Sequence, residues 1–377
     1  MKLEDRLNES LEQLKSKSAL RSLKLTEGLS DFCSNDYLGL AVSAELSERV
    51  AQAFSTLKRA GSGGSRLLSG NHSLMEELES LLCNFHQSEA SLLFNSGYDA
   101  NLSIFGSLPR RGDLVLYDSL VHASIHDGMR MGKAEVLAFR HNDTNDLKSL
   151  LESNKHRQGQ IFVAVESLYS MDGDLAPLSE IAEICQHFAA ALIVDEAHAT
   201  GVFGHNGVGR VQELGLQDKV FARLHTFGKA IGGHGAAILG SKTLREYLIN
   251  FARPLIFSTA MSLHDVLHAK EAYLLLSEKG ELLRAELHKK IQFYRSETAK
   301  IKEKYSVLDS ISPIQGIIIP GNDSVMKMAQ KLQEHALDVR PIRYPSVAAG
   351  TERLRICLHN YNSEEEIREL ISLLERN

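Results

Sequence analysis

The stretch His225-Thr-Phe-Gly-Lys229-Ala-Ile-Gly-Gly233 is the part of the chain that most directly indicates the fold. Its lysine follows Thr226 and Gly228 and leads into a glycine-rich turn. Upstream, Ala189-Ala-Ala-Leu-Ile-Val-Asp195 has the pattern of a short buried strand that ends on a carboxylate. An amine on a turn and a carboxylate at the end of a strand together form the pair that a pyridine aldehyde requires.

Pyridoxal 5′-phosphate (PLP) is the cofactor whose chemistry uses this pair. The Lys229 amine can form a Schiff base with the aldehyde. The Asp195 carboxylate can pair with the pyridinium nitrogen, so that the ring acts as an electron sink. We therefore predict PLP as the cofactor, in contact with both residues.

Strand-like apolar runs alternate with amphipathic helical stretches from about residue 45 to residue 250. Such alternation predicts an α/β fold with a mostly parallel, helix-covered sheet. The runs are Ala90–Phe94, Asp113–Tyr117, Gln160–Val165, Ala190–Val194 and Gly235–Gly240.

Three domains are predicted from these patterns. Residues 1–44 form a helical N-terminal segment, with helix expected to about Asp31, and residues 45–262 form the large cofactor domain. Residues 263–377 contain a long connecting helix from Leu263 to Lys304. A small α+β domain follows, with strands near Gly316 and Leu354 and a last helix from Glu364.

Composition excludes several classes of protein. Of the 377 residues 43% are hydrophobic and 24% are charged, and the net charge of −6 gives no basic excess for nucleic acid or a membrane surface. The four cysteines lie far apart and are expected to be reduced thiols. The N-terminus has the pattern of a charged amphipathic helix and not of a signal peptide, and no apolar run could span a membrane. We expect a cytoplasmic protein.

Polar clusters follow several predicted strands, where ligands of α/β sheets bind. Gly97 and Tyr98 begin a helix that would suit a phosphate, although an ordinary strand-to-helix turn has the same pattern. His122 could stack on a flat cofactor. Its spacing from His126 also suits a metal, but no third ligand is evident, so we predict no metal. Glu166 should face the same crevice as Asp195.

Two further motifs have competing interpretations. Gly61–Gly70 is glycine-rich, but it lacks the Gly-Lys-Ser/Thr ending of a P-loop, and no strand precedes it. Arg353 and Arg355 lie two residues apart and share one face of a predicted strand. Their guanidinium groups suit a carboxylate substrate, while the alternative is a solvated edge strand with salt bridges.

In their order along the chain, these motifs resemble the α-oxoamine synthase family of fold-type I PLP enzymes. The resemblance runs from Ser34-Asn-Asp-Tyr-Leu-Gly39 to Arg355 and covers nearly the whole chain. It includes Gly-Ser-Gly-Gly-Ser, Glu-x-x-x-Ser-Met-Asp-Gly-Asp, Asp-Glu-Ala-His-x-Thr-Gly and Thr-Phe-Gly-Lys. The resemblance implies a fold-type I transferase with a large sheet domain and a smaller C-terminal domain.

The resemblance also implies roles for individual residues. Lys229 would carry the cofactor and move the Cα proton, Asp195 would pair with the ring nitrogen, and His122 would stack on the ring. The other residues implied at the cofactor are Gly97, Tyr98, Glu166, Ser170, His198 and Thr226. The residues implied at the substrates are Arg21, Asn35, His122, Arg343, Ser346 and Arg355. Of these, Arg355 would bind the amino-acid carboxylate, and Arg21, Arg343 and Ser346 would contact the acyl substrate. Ser258 or Thr259 would reach the phosphate of a partner subunit in a homodimer.

Within this family, Thr-Phe-Gly-Lys, Ile-Arg-x-Pro-Ser-Val and Phe-Ala-Arg-Pro favour a biotin-pathway synthase. It would condense L-alanine with pimeloyl-CoA or a pimeloyl-acyl carrier protein. The stretch between Arg21 and Asp31 is shorter than in the family pattern, and this leaves the acyl-tail contacts open. Three alternatives remain: a sibling synthase using glycine or serine, a non-catalytic subunit of the same fold, and a plain aminotransferase.

Overall fold

The computed structural model describes residues 3–59 and 61–376. Within them, none of the helices is long and apolar enough to cross a membrane. The α-helices are α1 (Leu3–Ser16), α2 (Ala44–Ser55), α3 (Ser73–His86), α4 (Gly97–Ser107), α5 (Ala123–Met131), α6 (Thr144–Asn154), α7 (Leu178–His187), α8 (Arg210–Glu213), α9 (Lys242–Phe251), α10 (Arg253–Phe257), α11 (Leu263–Glu297), α12 (Asn322–Glu334) and α13 (Glu364–Glu375).

The β-strands form three sheets of two, four and seven strands. In chain order the strands are β1 (Ser30–Asp31), β2 (Ala90–Phe94), β3 (Leu114–Asp118), β4 (Glu135–Phe139), β5 (Ile161–Glu166), β6 (Ala191–Asp195), β7 (Ala222–Thr226), β8 (Ala236–Gly240), β9 (Ser306–Val307), β10 (Ile314–Ile318), β11 (Leu337–Asp338), β12 (Arg340–Ile342) and β13 (Arg353–Cys357).

The seven-stranded sheet has the order β2-β8-β7-β6-β5-β3-β4. Strands β7, β6, β5, β3 and β4 are parallel, and β8 is antiparallel to both of its neighbours. Along β6, Ile193 packs into one buried cluster while Leu192 and Val194 pack into another. Since alternate side chains of a strand point to opposite faces, the sheet has a hydrophobic core on each side. This arrangement confirms the predicted mostly parallel α/β sheet.

A smaller sheet contains the C-terminal strands in the order β12-β13-β10-β9, all antiparallel. Arg355 on the central strand β13 lies opposite Gly316 and Arg340. The last helix begins with a capping box, in which the Ser363 hydroxyl accepts from the Glu366 N–H and the Glu366 carboxylate accepts from the Ser363 N–H. These elements form the predicted smaller C-terminal α+β domain.

The chain divides into two compact units. The larger consists of Leu38–Ser170 and Leu175–Ala285, and the smaller consists of the described residues of Met1–Tyr37, Met171–Asp174 and Glu286–Asn377. These limits differ from the predicted domains 1–44, 45–262 and 263–377, because helix α11 contributes residues to both units. The predicted domain limits therefore stay a prediction.

Some predicted elements differ from those in the structure. The N-terminal helix ends at Ser16 and does not continue to about Asp31. Ser18 has a φ of 49°, which is incompatible with a continuing right-handed helix. The connecting helix ends at Glu297, where a 3-10 turn follows. Strands β4 and β7 were not predicted, because β4 lies at the edge of the sheet and β7 alternates polar with apolar residues.

Candidate active site

Two buried carboxylates end neighbouring parallel strands. Glu166 is the last residue of β5 and Asp195 the last of β6, and the two are paired in register. Only 3% of Glu166 and 6% of Asp195 is exposed. The carboxyl ends of adjacent parallel strands therefore bring two acids to one edge of the sheet, as expected for a ligand site of this fold class.

Asp195 is held by two hydrogen bonds. One carboxylate oxygen, Oδ1, accepts from the backbone N–H of Ala197 at 2.9 Å. The other, Oδ2, accepts from the side-chain amide of Asn101 at 2.9 Å. The two N–H donors fix the orientation of this carboxylate, which is suited to pairing with a cationic ring nitrogen.

His122 is the residue that caps the start of α5. Part of the residue is exposed to solvent, and its Nδ1 lies 2.8 Å from Oγ of Ser124 and 3.2 Å from the Ser124 backbone N. Because a backbone N–H can only donate, Nδ1 is the acceptor, and the ring proton of the neutral form lies on Nε2. Partial burial and the Lys229 cation lower the pKa of His122, while Asp195 opposes the shift. A neutral imidazole with an open face is suited to stacking.

The surroundings of Glu166 shift it towards its protonated form, because they raise its pKa. Burial, followed by the negative charge of Asp195, raises the pKa of Glu166 well above its usual value. Lys229 and a backbone hydrogen bond from His122 act in the opposite direction. Among the described residues, Oε1 of Glu166 has no hydrogen-bond partner. A buried carboxylic acid with a free oxygen can donate to or accept from a polar ligand atom.

Lys229 lies half-buried in the turn that follows β7. Its Nζ donates to the Thr226 hydroxyl at 3.4 Å. The turn closes through hydrogen bonds from Gly232 N–H to the Lys229 carbonyl and from Gly233 N–H to the Phe227 carbonyl, both 2.7 Å. Gly232 has a φ of 69°, which favours glycine. The turn therefore places the amine beside Thr226.

The start of α4 faces Thr226. Gly97 lies so close that a Cβ built on it would be 2.5 Å from the Thr226 methyl carbon. Ser96 caps this helix by accepting from the Asp99 N–H at 3.0 Å. Free N–H groups at a helix start and an adjacent hydroxyl are typical of a phosphate site. Tyr98 has an exposed ring perpendicular to that of His122, with the ring centres 6.4 Å apart.

The remaining predicted cofactor residues follow the same two strands. Ser170 lies four residues after the end of β5, and His198 lies three residues after the end of β6. His198 is buried, with 6% of its surface exposed, whereas Ser170 is half-buried. Thr259, one of the two alternatives with Ser258 for the phosphate site of a partner subunit, accepts from the Asn95 side chain through its carbonyl at 2.9 Å.

In the smaller unit, Arg355 and Asn35 are in contact. Arg355 is buried on β13 and donates to Oδ1 of Asn35 at 2.9 Å. The same oxygen accepts from the Tyr37 hydroxyl at 3.1 Å. Arg353 forms an ion pair with Asp172. Both arginines are therefore partnered within the unit, and Arg355 is held in place by a neutral amide.

The three residues predicted to contact the acyl substrate also lie together in the smaller unit. Arg21 donates to the Ser346 hydroxyl at 3.3 Å, and Arg343 donates to the carbonyls of Ser18 and Leu20. A cavity of about 490 Å³ lies here. The cavity is lined by no acidic residue and by four cationic residues, Arg21, Lys24, Arg340 and Arg343.

Sequence reasoning missed Asn101 and Ser124. The Asn101 amide donates to Asp195 and also to the Ser124 hydroxyl, each at 2.9 Å. Both residues are almost completely buried, at 2% and 1% exposed. The one signal in the sequence is an asparagine four residues after Gly97, one helical turn further along the same face.

The residues of the larger unit fit PLP by their chemistry. Lys229 offers a primary amine, Asp195 a carboxylate held by two N–H donors, and His122 an exposed flat ring. Gly97 has no room for a side chain beside Thr226, so the start of α4 lies close to the Thr226 hydroxyl, and its backbone N–H groups could bind a phosphate there. These groups could hold a Schiff-base cofactor at its aldehyde, ring nitrogen, ring face and phosphate.

Comparisons with known proteins identify relatives over the whole chain. Residues 27–374 match the aminotransferase class I and II family. An 8-amino-7-oxononanoate synthase from Emericella nidulans is 42% identical over 395 residues, covering 99% of this chain and 95% of the relative. An 8-amino-7-oxononanoate synthase from Lysinibacillus sphaericus is 36% identical over 346 residues, covering 92% and 87%.

Solved structures have the same fold. A serine palmitoyltransferase from S. paucimobilis with bound PLP–myriocin aldimine superimposes with a TM-score of 0.88 at 25% identity, covering 99% of this chain and 96% of that one. An 8-amino-7-oxononanoate synthase from Francisella tularensis superimposes with a TM-score of 0.77 at 26% identity, covering 92% and 97%.

Proposed function

Because the chain belongs to the aminotransferase class I and II family and is an α-oxoamine synthase, a PLP-dependent acyltransferase, we propose that it joins L-alanine to a pimeloyl thioester. The products would be 8-amino-7-oxononanoate, CO2 and the free thiol, a step of biotin biosynthesis. The observation that carries this proposal is that the Lys229 amine follows β7 and the Asp195 carboxylate ends the neighbouring strand β6, and that both charges act on buried Glu166.

Each cofactor-binding residue has a distinct task in the proposal. When bound, PLP supplies an electron sink for the negative charge that develops at the amino-acid Cα. Asp195 holds a proton on the ring nitrogen through a charge-assisted hydrogen bond. His122 covers one ring face and excludes water from it. Gly97, Tyr98 and Thr226 bind the phosphate. Three further residues contact the cofactor: Glu166, Ser170 and His198.

Lys229 is the proposed acid and base. Its amine takes the proton from the Cα of alanine and later returns one to the product. The turn closed by Gly232 and Gly233 holds the amine next to Thr226, so the lysine remains close to the cofactor when its Nζ is free. Proton transfer of this kind needs an amine that stays within hydrogen-bond reach of the reacting carbon.

Arg355 is the proposed binding group for the alanine carboxylate. A guanidinium can bind a carboxylate through two parallel hydrogen bonds. Asn35 Oδ1 and Cys357 Sγ each accept from one terminal nitrogen of Arg355 and orient the fork. Arg21, Arg343 and Ser346 are proposed to bind the acyl substrate, delivered on CoA or on a carrier protein. The cationic lining of their cavity supports an anionic acyl donor.

The atoms of the proposed reaction balance without an oxidant or reductant. The Cα of alanine forms a carbon–carbon bond with the thioester carbonyl, and the carbon–sulfur bond breaks to release the thiol. The alanine carboxylate then leaves as CO2, and a proton takes its place. We further propose a cytoplasmic homodimer in which Ser258 or Thr259 contributes to the phosphate site of the partner subunit.

A sibling synthase is the second candidate. The serine palmitoyltransferase from S. paucimobilis superimposes on this chain with the higher of the two TM-scores, 0.88 against 0.77. Overall backbone shape does not select the amino acid, however, and the sequence identity of 42% to an 8-amino-7-oxononanoate synthase favours alanine.

Isotope release tests the proposed reaction. The PLP-loaded protein is incubated with pimeloyl-CoA and L-alanine labelled with ¹³C in its carboxyl group. Labelled CO2 and 8-amino-7-oxononanoate are expected in equal amounts by mass spectrometry, and Lys229→Ala should abolish both. Formation of an alanine-derived product that retains the label would contradict decarboxylation. Undiminished turnover by Lys229→Ala would remove the lysine from its role.

A further inference from the structure

A buried chain of hydrogen bonds connects Asp195 with His122. Asn101 on α4 donates one amide hydrogen to Oδ2 of Asp195 and the other to Oγ of Ser124, both at 2.9 Å. Ser124 on α5 lies 2.8 Å from Nδ1 of His122. The two groups proposed to contact the cofactor ring from different sides are therefore joined through two residues with no assigned role.

The directions of these bonds follow from the atoms involved. An amide nitrogen only donates, so Oγ of Ser124 accepts from Asn101 and its own hydrogen is free to point elsewhere. The nearest acceptor is Nδ1 of His122, which also accepts from the backbone N–H of Ser124. Donation therefore runs outward from Asn101, to the carboxylate at one end and towards the imidazole at the other.

We propose that Asn101 and Ser124 are positioning residues that fix the Asp195 carboxylate and the Nε2–H tautomer of His122 as one unit. The relevance of this unit to PLP rests on the proposed function. Asn101 cannot be ionised, so it donates to both partners at every pH. A carboxylate at the same position would instead repel Asp195 and accept the Ser124 hydrogen, which would leave His122 without the hydroxyl bond.

The inference is specific to these two side chains. Ser103 on α4 is buried like Ser124, but its hydroxyl donates to the backbone carbonyl of Asp99 at 2.7 Å and takes no part in the hydrogen bonds that connect Asp195 with His122. Ser103→Ala is therefore a matched control for Ser124→Ala, with the same chemical change in an equally buried position.

Nitrogen-15 NMR of the histidine rings in the full-length protein without cofactor tests the tautomer. His122→Phe identifies the His122 signals. The wild-type ring should have a protonated Nε2 and an unprotonated Nδ1, and a ring protonated at Nδ1 would overturn the proposal without need of any further variant. Ser124→Ala keeps the backbone N–H donor to Nδ1 and loses the hydroxyl donor, so it should raise the fraction of rings protonated at Nδ1 measurably, while Ser103→Ala should leave that fraction unchanged.

A double-mutant cycle on PLP affinity tests whether the chain acts as one unit. Equilibrium dialysis gives the dissociation constant for the wild type, Asn101→Ala, Ser124→Ala and the double variant. Each single variant should bind PLP about tenfold more weakly, the loss of one hydrogen bond to a charged or polarised group. The double variant should be no weaker than the weaker single variant.

Independent effects, in which the double variant loses about a hundredfold, would refute a connected chain. A PLP dissociation constant of Ser124→Ala equal to that of Ser103→Ala would also refute the connected chain of hydrogen bonds. The test is separable from the proposed function. Coupled affinities in a protein that makes no product from alanine would uphold the chain and refute the reaction, whereas additive affinities in an active enzyme would do the reverse.

Discussion

Gly97→Ala should destabilise the protein through one identifiable contact. The new Cβ would lie 2.5 Å from the methyl carbon of Thr226, whereas its next neighbours, Leu224 Cδ2 and Thr226 Cβ, would be 3.8 Å away, an ordinary contact distance. Overpacking of this kind costs about 1–3 kcal/mol. Since Gly97 is the first residue of α4, alanine gains only a fraction of the roughly 1 kcal/mol of helix propensity that applies in a helix interior. We expect a net loss of about 1–2 kcal/mol.

Thr226→Ser supplies the matched test, because serine lacks the methyl group that clashes and keeps the hydroxyl. By itself, Thr226→Ser should lower the free energy of unfolding by about 1 kcal/mol, because it removes one buried methyl group. Combined with Gly97→Ala, it should remove the clash, so that alanine is neutral or stabilising in the serine background. Because Thr226 is proposed to bind the phosphate, Gly97→Ala alone should also weaken PLP binding about tenfold, and the double variant should recover it.

Thermal denaturation without cofactor and equilibrium dialysis with PLP measure the two effects. A chain of 377 residues has an unfolding entropy of about 0.8 kcal/mol per kelvin, from ~2.1 cal/mol per kelvin per residue. A loss of about 1–2 kcal/mol therefore lowers the midpoint by roughly 1–3 °C. An equal shift from Gly97→Ala in the threonine and serine backgrounds would refute the contact between these two positions.

Three further outcomes are expected. Arg355→Lys should raise the KM for alanine about tenfold with an unchanged PLP dissociation constant, because lysine cannot form the bidentate pair; an equal loss of PLP affinity would contradict this role. Burial raises the pKa of Glu196 to about 7, so its contribution to stability is present below its usual pKa and is lost as pH rises through about 7. As pH rises from about 5 to about 8, the free energy of unfolding of Glu196→Gln, measured by urea denaturation, should therefore increase by up to about 3 kcal/mol relative to that of the wild type. A difference between the two proteins that does not change with pH would contradict this prediction. Burial lowers the pKa of His86 to about 3 and that of His225 below its usual value. The stability that these neutral rings contribute above about pH 6.5 should therefore be lost as pH falls towards 3. A thermal denaturation midpoint that does not change with pH over this range would contradict the prediction.

The sequence predicted the strands that read as continuous apolar runs. Strands β5 and β6 are buried on both faces, so each has an unbroken apolar pattern that ends on an acid. Strand β7 has the sequence Ala-Arg-Leu-His-Thr and was missed because its polar side chains suggested exposure. Arg223 and His225 are in fact buried and hydrogen-bonded, with Arg223 donating to the His86 carbonyl and the His225 ring bonded to the Thr200 hydroxyl.

The candidate site could be predicted where a residue's chemistry shows in its own motif. Lys229 and Asp195 each have a strong local signature and lie where the sequence places them, after β7 and at the end of β6. Asn101 has none, because its partner Asp195 is 94 residues away and only the folded sheet brings the two together. Its hydrogen bond depends on tertiary contacts that periodicity does not encode.

Thiol release from pimeloyl-CoA by the PLP-loaded protein, with L-alanine, glycine and L-serine compared side by side, tests the central proposal most directly. We expect release with alanine and only background release with the other two. Release with glycine or serine in place of alanine would keep the family and contradict the proposed substrate. Absence of release with all three, in a protein that binds PLP, would contradict pimeloyl-CoA as the donor, and the same comparison with a pimeloyl-acyl carrier protein would then decide between the two thioesters.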